Sequence, residues 1–320
     1  MKINNDVIST TCPMAWVVTE GFAGTENQCL GVAEALGVHP RILKIKLKFP
    51  WNVLSPWLGF ECRATFTEEL KGPWPDLLIA SGRKSIAAAR YIKKASGGKT
   101  FTVQLQDPRI NPRHFDLVAV PQHDPTRGDN VFVTKATPNR ITPEKLAAAK
   151  IEFSYIFERL SGPRIAVLIG GSTKSHHFTC DEALTLVERI APIPNLMITT
   201  SRRTGEEKYK LFRINLATPT NYLWDGKGPN PYLGLLAWAD IILVTADSTA
   251  MISDAATTGK PVYILPMEGL SRRQNILVEN LVAYGAARHF TGSELSHWSY
   301  TPLNDSADIA AEIRKKSNIF

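Results

Sequence analysis

The feature that most constrains this chain is the alternation of short β-branched runs with longer helix-like segments, repeated along its length. In the first half the runs occupy residues 15–19, 42–47, 77–80, 101–105, 117–120 and 131–134. In the second half they occupy 165–169, 196–200, 222–224, 241–245 and 262–265. Segments 28–36, 85–94, 181–190 and 249–258 between them carry helical patterns. Apolar runs joined through helices predict parallel strands covered on both faces. A chain that does this twice predicts an α/β fold of two doubly wound, Rossmann-like domains facing a cleft. The turn-forming cluster Ser161-Gly162-Pro163 precedes a new strand. It sets the expected domains at 1–160 and 161–320, with the last helix free to pack back on the first.

Length supports this division, since 320 residues make two domains of about 150 each. Hydrophobic residues at 44% and charged residues at 21% exclude a disordered chain and a disulfide scaffold. The net charge of +7 is uneven. Residues 1–160 hold 21 basic and 15 acidic side chains (+6), and residues 161–320 hold 16 and 15 (+1). The first half therefore carries almost all of the positive field. The four cysteines, at 12, 29, 62 and 180, form no C-x-x-C pair, so reduced thiols of a cytoplasmic protein are expected. The N-terminal Met1-Lys2-Ile3-Asn4-Asn5-Asp6-Val7 lacks an apolar core, so no signal peptide is expected. The longest apolar stretch, 233–246, is broken by Asp240 and is too short for the roughly 20 residues of a span.

Open α/β sheets bind ligands beyond the carboxyl ends of their strands. After the first run come Glu20, Gly21, Gly24 and Thr25, a glycine loop leading into a helix whose N-terminus suits an anion. The full G-x-G-x-x-G is absent, and the second run ends in Lys46-Leu47-Lys48 rather than an acid, which disfavours an NAD enzyme. In the second half, Gly170, Gly171, Ser172 and Thr173 supply amides and hydroxyls suited to a diphosphate, with Lys174 beside them. Arg202 and Arg203 follow a strand and suit phosphate oxygens. Trp224 offers a plane for a base. Asp247, Ser248 and Thr249 end a buried run at a helix start, and Asp254 on that helix can accept from ribose hydroxyls. Arg273, Gln274 and Asn275 open a further helix. Adjacent His176 and His177 point differently and predict no chelating pair, and no metal is expected.

At these residues the second half resembles the donor domain of GT-B glycosyltransferases, especially the peptidoglycan N-acetylglucosaminyltransferase type. The matching positions are Asp247-Ser248-Thr249, Ser253-Asp254 and Gly259-Lys260-Pro261, with Ser248 for a glycine and Asp254 for the usual glutamate. Arg273-Gln274-Asn275 resembles that family's helix start facing the sugar. Gly21 and Gly24 resemble its first glycine loop, without the histidine that usually follows. Across nearly the whole chain the match is to the mitochondrial-fission Elm-type family. It is carried by residues 20–28, Ser81-Gly82-Arg83-Lys84-Ser85, Gln104-Leu105-Gln106-Asp107-Pro108-Arg109, Ile169-Gly170-Gly171-Ser172 and the 245–261 stretch.

The resemblance implies a glycosyltransferase that uses a nucleotide-sugar as substrate, with no further cofactor and no metal. Helix N-termini and arginines would stabilise the departing diphosphate. The base would come from the first domain, with Glu20 the best placed and Asp107 second. Two alternatives share the scaffold: a non-catalytic adaptor, like the plant members that recruit a dynamin-like GTPase, and a non-hydrolysing nucleotide-sugar epimerase. Basic Lys44, Lys46 and Lys48 alternate with Leu43, Ile45 and Leu47, and Phe49, Trp51, Val53, Leu54, Trp57, Leu58 and Phe60 follow. This pattern suits an anionic membrane surface on the cytoplasmic face as a partner, and equally a buried helix packed under a solvated strand face. No nucleic-acid motif accompanies the basic residues, so nucleic acid is not expected. The sequence leaves oligomeric state open.

Overall fold

The structure, a computed structural model, describes residues 12–173, 176–292 and 294–320. Lys174 and the N-terminal run 1–7 lie outside the described residues. Twelve strands are formed by the described residues. The first six are β1 (Ala15–Thr19), β2 (Arg41–Lys44), β3 (Leu77–Ser81), β4 (Phe101–Leu105), β5 (Leu117–Pro121) and β6 (Val131–Thr134). The second six are β7 (Ile165–Ile169), β8 (Leu196–Thr200), β9 (Tyr222–Leu223), β10 (Ile241–Thr245), β11 (Val262–Leu265) and β12 (Ala287–His289). They build two six-stranded sheets, ordered β2-β1-β3-β4-β5-β6 and β12-β11-β10-β7-β8-β9. All five pairs of the second sheet are parallel, as are the four pairs from β2 to β5 in the first. The expected doubly wound α/β fold is therefore present in both halves. β12 has no β-branched residue and was not expected.

The central strands β1, β3, β5, β7 and β10 are buried at every position. A parallel strand flanked by helices on both faces has no polar side, which is why these runs are uninterrupted. In the first unit Cys29, Val32 and Ala33 of helix Ala23–Leu36 pack with Val17, Ile79 and Val103. Ile86 and Ile92 of helix Ser85–Ala95 cover the other face with Val18 and Leu78.

The chain does not divide at residue 160. The first compact unit runs to Val120 and adds Thr126–Phe132 and Ser306–Phe320, while the second comprises Pro121–Pro125 and Val133–Asp305. The reason is where apolar side chains find cover. Ala149, Phe153 and Phe157, on helices Pro143–Glu152 and Ser154–Phe157 and between them, bury with Leu168, Leu235 and Val244 of the second unit. Ile309, Ala310 and Ile313 of the last helix, Asp305–Lys316, bury with Val17 and Leu117 of the first. Arg314 Nη2 fastens that helix by donating to the carbonyls of Ala35 and Leu36.

Phe157 is fully buried and meets Tyr222 edge-on, ring centroids 5.1 Å apart. Phe157→Ala should destabilise the second unit by about 3–5 kcal/mol, read as a fall in its chemical-denaturation midpoint. An unchanged midpoint would mean that 133–160 is not part of that core.

Candidate functional site

In the second sheet strand order reverses between β7 and β10: β8 and β9 lie beyond one, β11 and β12 beyond the other. The carboxyl ends of β7 and β10 thus flank the topological switch point, the default ligand crevice of an open α/β sheet. The loop after β7 holds Gly170, Gly171 and Ser172. β10 runs through Ala246 and Asp247 into helix Thr249–Thr257, whose N-cap residue is Ser248.

Asp247 organises this point. Its side chain is fully buried. Oδ2 accepts from the Gly171 amide at 2.9 Å and lies 3.4 Å from Arg203 Nη2. The Asp247 carbonyl accepts from Gln274 Nε2 at 2.7 Å. The Gly170 amide donates to Thr245 Oγ1 at 2.8 Å, and the Thr204 hydroxyl donates to the Gly170 carbonyl. A Cβ on Gly170 would collide with the Asp247 carboxylate, and one on Gly171 with the backbone of Arg203 and Thr204. These glycines are required by close approach of protein to protein.

The sequence assigned the Gly170 and Gly171 amides to a diphosphate, whereas both are consumed by Thr245 and Asp247. A carboxylate of the chain itself sits where an anion was expected. Arg203 is committed as well: Nη1 donates to the carbonyls of Gly171 (3.3 Å) and Ser172 (3.1 Å). Ser172 Oγ accepts from Phe178 N, and Thr173 Oγ1 from His176 N. Gln274 is occupied on both sides, since Oε1 accepts from the amide and hydroxyl of Ser271. It therefore seals the site instead of facing a sugar. Arg273 Nη1 pairs with Asp124 Oδ1 at 3.2 Å, and Asn275 is exposed.

Among the described residues, what stays presented at the switch point is the start of helix Thr249–Thr257. The Ser248 side chain makes no capping bond there. The first amides of a helix have no intrahelical partner and carry its positive end. Arg202, next in sequence to the committed Arg203, is exposed. Trp224 is not part of this group. It follows β9, the edge strand two places from β7, and its indole N–H donates to the Lys227 carbonyl at 3.1 Å.

Asp254, one and a half turns into the same helix, accepts from the Tyr232 hydroxyl at 2.8 Å. Burial pushes its carboxyl up to about 7 against the opposing pull of that bond. Burial, and then the Asp254 charge, push the Tyr232 phenol well above its ordinary range. Tyr232, Thr204 and Thr245 were missed in the sequence because a lone aromatic or threonine carries no spacing signal. His176 is a buried side chain 3.7 Å from Glu182, and His177 is exposed.

The first sheet has its own switch point, between β1 and β3. Glu20, directly after β1, accepts from the Lys84 amide through Oε1 at 3.0 Å and lies 3.8 Å from Lys84 Nζ. The Gln28 Oε1 accepts from Gln106 Nε2 at 2.8 Å and from the Ser81 hydroxyl at 3.4 Å. Gly21 turns the chain at φ +88°, its amide donating to Thr19 Oγ1. Gly24 opens onto free space, and the Thr25 hydroxyl donates to the Phe22 carbonyl. Asp107 is engaged in a turn, accepting from Arg109 N at 2.8 Å and Thr126 Oγ1 at 2.6 Å. Its carboxylate holds that turn, as the Glu20 carboxylate holds the loop after β3 through the Lys84 amide.

Two doubly wound, Rossmann-like units, each with a polar strand-end cluster at its switch point, define a GT-B-like protein. Two structures of the UDP-GlcNAc 2-epimerase of Methanocaldococcus jannaschii, one of them in complex with UDP-GlcNAc and UDP, share this fold. Their TM-scores are 0.53 and 0.52 at 14% and 10% identity, covering 96% and 95% of this chain and 94% and 99% of theirs. Residues 23–317 match the family model described as Mitochondrial fission ELM1, and the chain belongs to that family. Mitochondrial fission protein ELM1 of Arabidopsis thaliana is 28% identical, over 94% of this chain and 90% of its own length. An uncharacterized protein of Rickettsia prowazekii, RP120, is also 28% identical, over 93% and 97%.

Two outcomes test the site. Gly171→Ala should destabilise the second unit by about 1–3 kcal/mol through overpacking, seen as a lower melting temperature; an unchanged one would contradict the closed loop. The second concerns pH. The fold favours protonated Asp254, so folding carries no penalty below the ordinary carboxyl value of 3.8. The penalty grows as pH rises toward about 7 and then levels off. Asp254→Asn removes it, so its melting temperature should gain on the parent between about pH 4 and about pH 7. A constant difference across that range would refute the raised carboxyl.

Proposed function

We propose that the chain binds a nucleotide-sugar at the second unit's switch point and acts as a glycosyltransferase. The observation that carries this is the uncapped start of helix Thr249–Thr257 at the carboxyl end of β10, with Asp254 on the same helix. The diphosphate would lie on the Thr249 and Ala250 amides and the Ser248 hydroxyl, with Arg202 adding charge. Asp254 would accept from the ribose hydroxyls, helped by Tyr232. The helix N-terminus and Arg202 would take up the charge of the departing diphosphate, with no metal required in that role. Glu20 of the first unit would serve as base. An M. jannaschii structure that shares the fold is a complex with UDP-GlcNAc and UDP, which supports a uridine diphosphate donor as the first to try. The basic first unit would meet an anionic membrane surface on its cytoplasmic side.

One observation favours a second reading, a binding protein that kept the scaffold. Asp247 already takes the Gly171 amide and pairs with Arg203, groups that a phosphate would otherwise engage. A melting-temperature panel with UDP-, GDP-, ADP- and CMP-sugars separates the two. One nucleotide class should raise the melting temperature of the parent, and Asp254→Ala should reduce that rise about tenfold in ligand affinity. No rise across the panel would leave the binding protein as the reading.

A further inference from the structure

The twelve residues 49–60 (Phe-Pro-Trp-Asn-Val-Leu-Ser-Pro-Trp-Leu-Gly-Phe) contain no charged side chain. The structure does not bury them as a core helix. Only Trp51–Leu54 forms a helical turn. Phe49 is 79% exposed, Trp57 62% and Phe60 92%, with Val53 and Leu54 also exposed. Scattered surface apolar residues need no explanation, but five within twelve residues on one loop do.

Several backbone carbonyls of this loop are bonded from behind by the rest of the first unit. Arg83 Nη1 and Nη2 donate to the carbonyls of Val53 and Asn52, each at 3.4 Å. The Ser55 hydroxyl donates to the Arg83 carbonyl at 3.2 Å. Arg90 Nη2 donates to the Leu58 carbonyl at 2.9 Å and pairs with Glu61. The Trp51 indole donates to the Gly59 carbonyl. Phe60 is held in the left-handed region, at φ +63°, a cost for a bulky residue that puts its ring outward.

We infer that this latched loop is a membrane-insertion knob, and that its partner is the interface of an anionic lipid bilayer. Two physical arguments select lipid. Backbone groups entering the acyl boundary must bring their hydrogen bonds with them, and here arginines bound from behind supply several. The knob is also flanked by cations. Between residues 44 and 63 stand Lys44, Lys46, Lys48 and Arg63, against one acid, Glu61, which Arg90 neutralises; Lys44 is paired with Glu26 at 3.4 Å and Arg63 with Glu69 at 3.8 Å, so the lysines that flank the knob are chiefly Lys46 and Lys48. Lys46 and Lys48 are exposed because the alternation continues past β2, burying Ile45 and Leu47 on the other side. Glu68 and Glu69 lie further along the chain, Glu69 paired with Lys71. Aromatic tips beside lysines match the layering of an interface, with rings at the acyl boundary and ammonium groups at the phosphates.

The latch carries a consequence. Arg83, which grips the loop, lies between Gly82 and Lys84, and the Lys84 amide holds Glu20. The loop after β3 thus supports the knob on one side and the first switch point on the other. The inference gives residues to the membrane-surface reading above, but its test needs no nucleotide.

The full chain is sedimented with phosphatidylcholine vesicles containing phosphatidylserine and with phosphatidylcholine vesicles alone. The parent should bind the anionic vesicles, with a blue shift of tryptophan emission. Trp57→Ser with Phe60→Ser should weaken binding about tenfold or more, at an unchanged melting temperature because both side chains are exposed. Lys46→Glu with Lys48→Glu should weaken binding and flatten its salt dependence. Two results overturn the inference: no binding at low salt, or binding that survives the aromatic double variant undiminished. A protein that docks on vesicles yet ignores every nucleotide-sugar would leave the knob standing and remove the donor-site reading alone.

Discussion

The second unit depends on one buried carboxylate. Asp247, two residues past β10, accepts from the loop after β7, holds the arginine of the loop after β8 and, through its carbonyl, receives Gln274 from the helix after β11. Four strand ends that share only a sheet are thereby fixed at one point. A charge this deep is costly unless paired and hydrogen-bonded. Here the pairing also determines what the loops can no longer do. The Gly-Gly amides and Arg203 are bonded within the protein, and among the described residues the electropositive element left open at the crevice is the start of helix Thr249–Thr257.

The first unit is arranged by the same logic with different chemistry. Its strand ends hold two bonded sets, Glu20 with Lys84 and Gln28 with Ser81 and Gln106. The unit also carries most of the positive charge of the sequence, and the exposed loop 49–60 is bound to it by Arg83 and Arg90. The last helix belongs to this unit. An apolar stripe of Ile309, Ala310 and Ile313 is what ties the C-terminal segment to the N-terminal sheet.

Much of the architecture was legible because parallel strands leave a simple record. A strand such as β7 or β10, covered on both faces, must be apolar throughout, and no other short element needs that pattern. β12 was illegible because three residues, Ala-Arg-His, pair with β11 through backbone alone. The division at 160 was misread for a related reason. Ser161-Gly162-Pro163 does mark a turn, but a turn says nothing about which core covers Phe153 and Phe157. At the site, composition pointed to strand ends and could not show which of their groups the protein itself already uses. Gly170, Gly171 and Gln274 have the residue types of a ligand cradle, and a sequence cannot distinguish an amide that awaits a phosphate from one already bonded to Asp247. Tyr232 and Asp254, twenty-two residues apart, meet only through the fold.

The most direct test of the donor-site account is amide hydrogen exchange of the intact chain with and without a saturating uridine diphosphate sugar. The account predicts slowed exchange at the start of helix Thr249–Thr257, with little change at Gly170 and Gly171, whose amides are already bonded. Protection centred on Gly170 and Gly171, or none in the second unit, would contradict it.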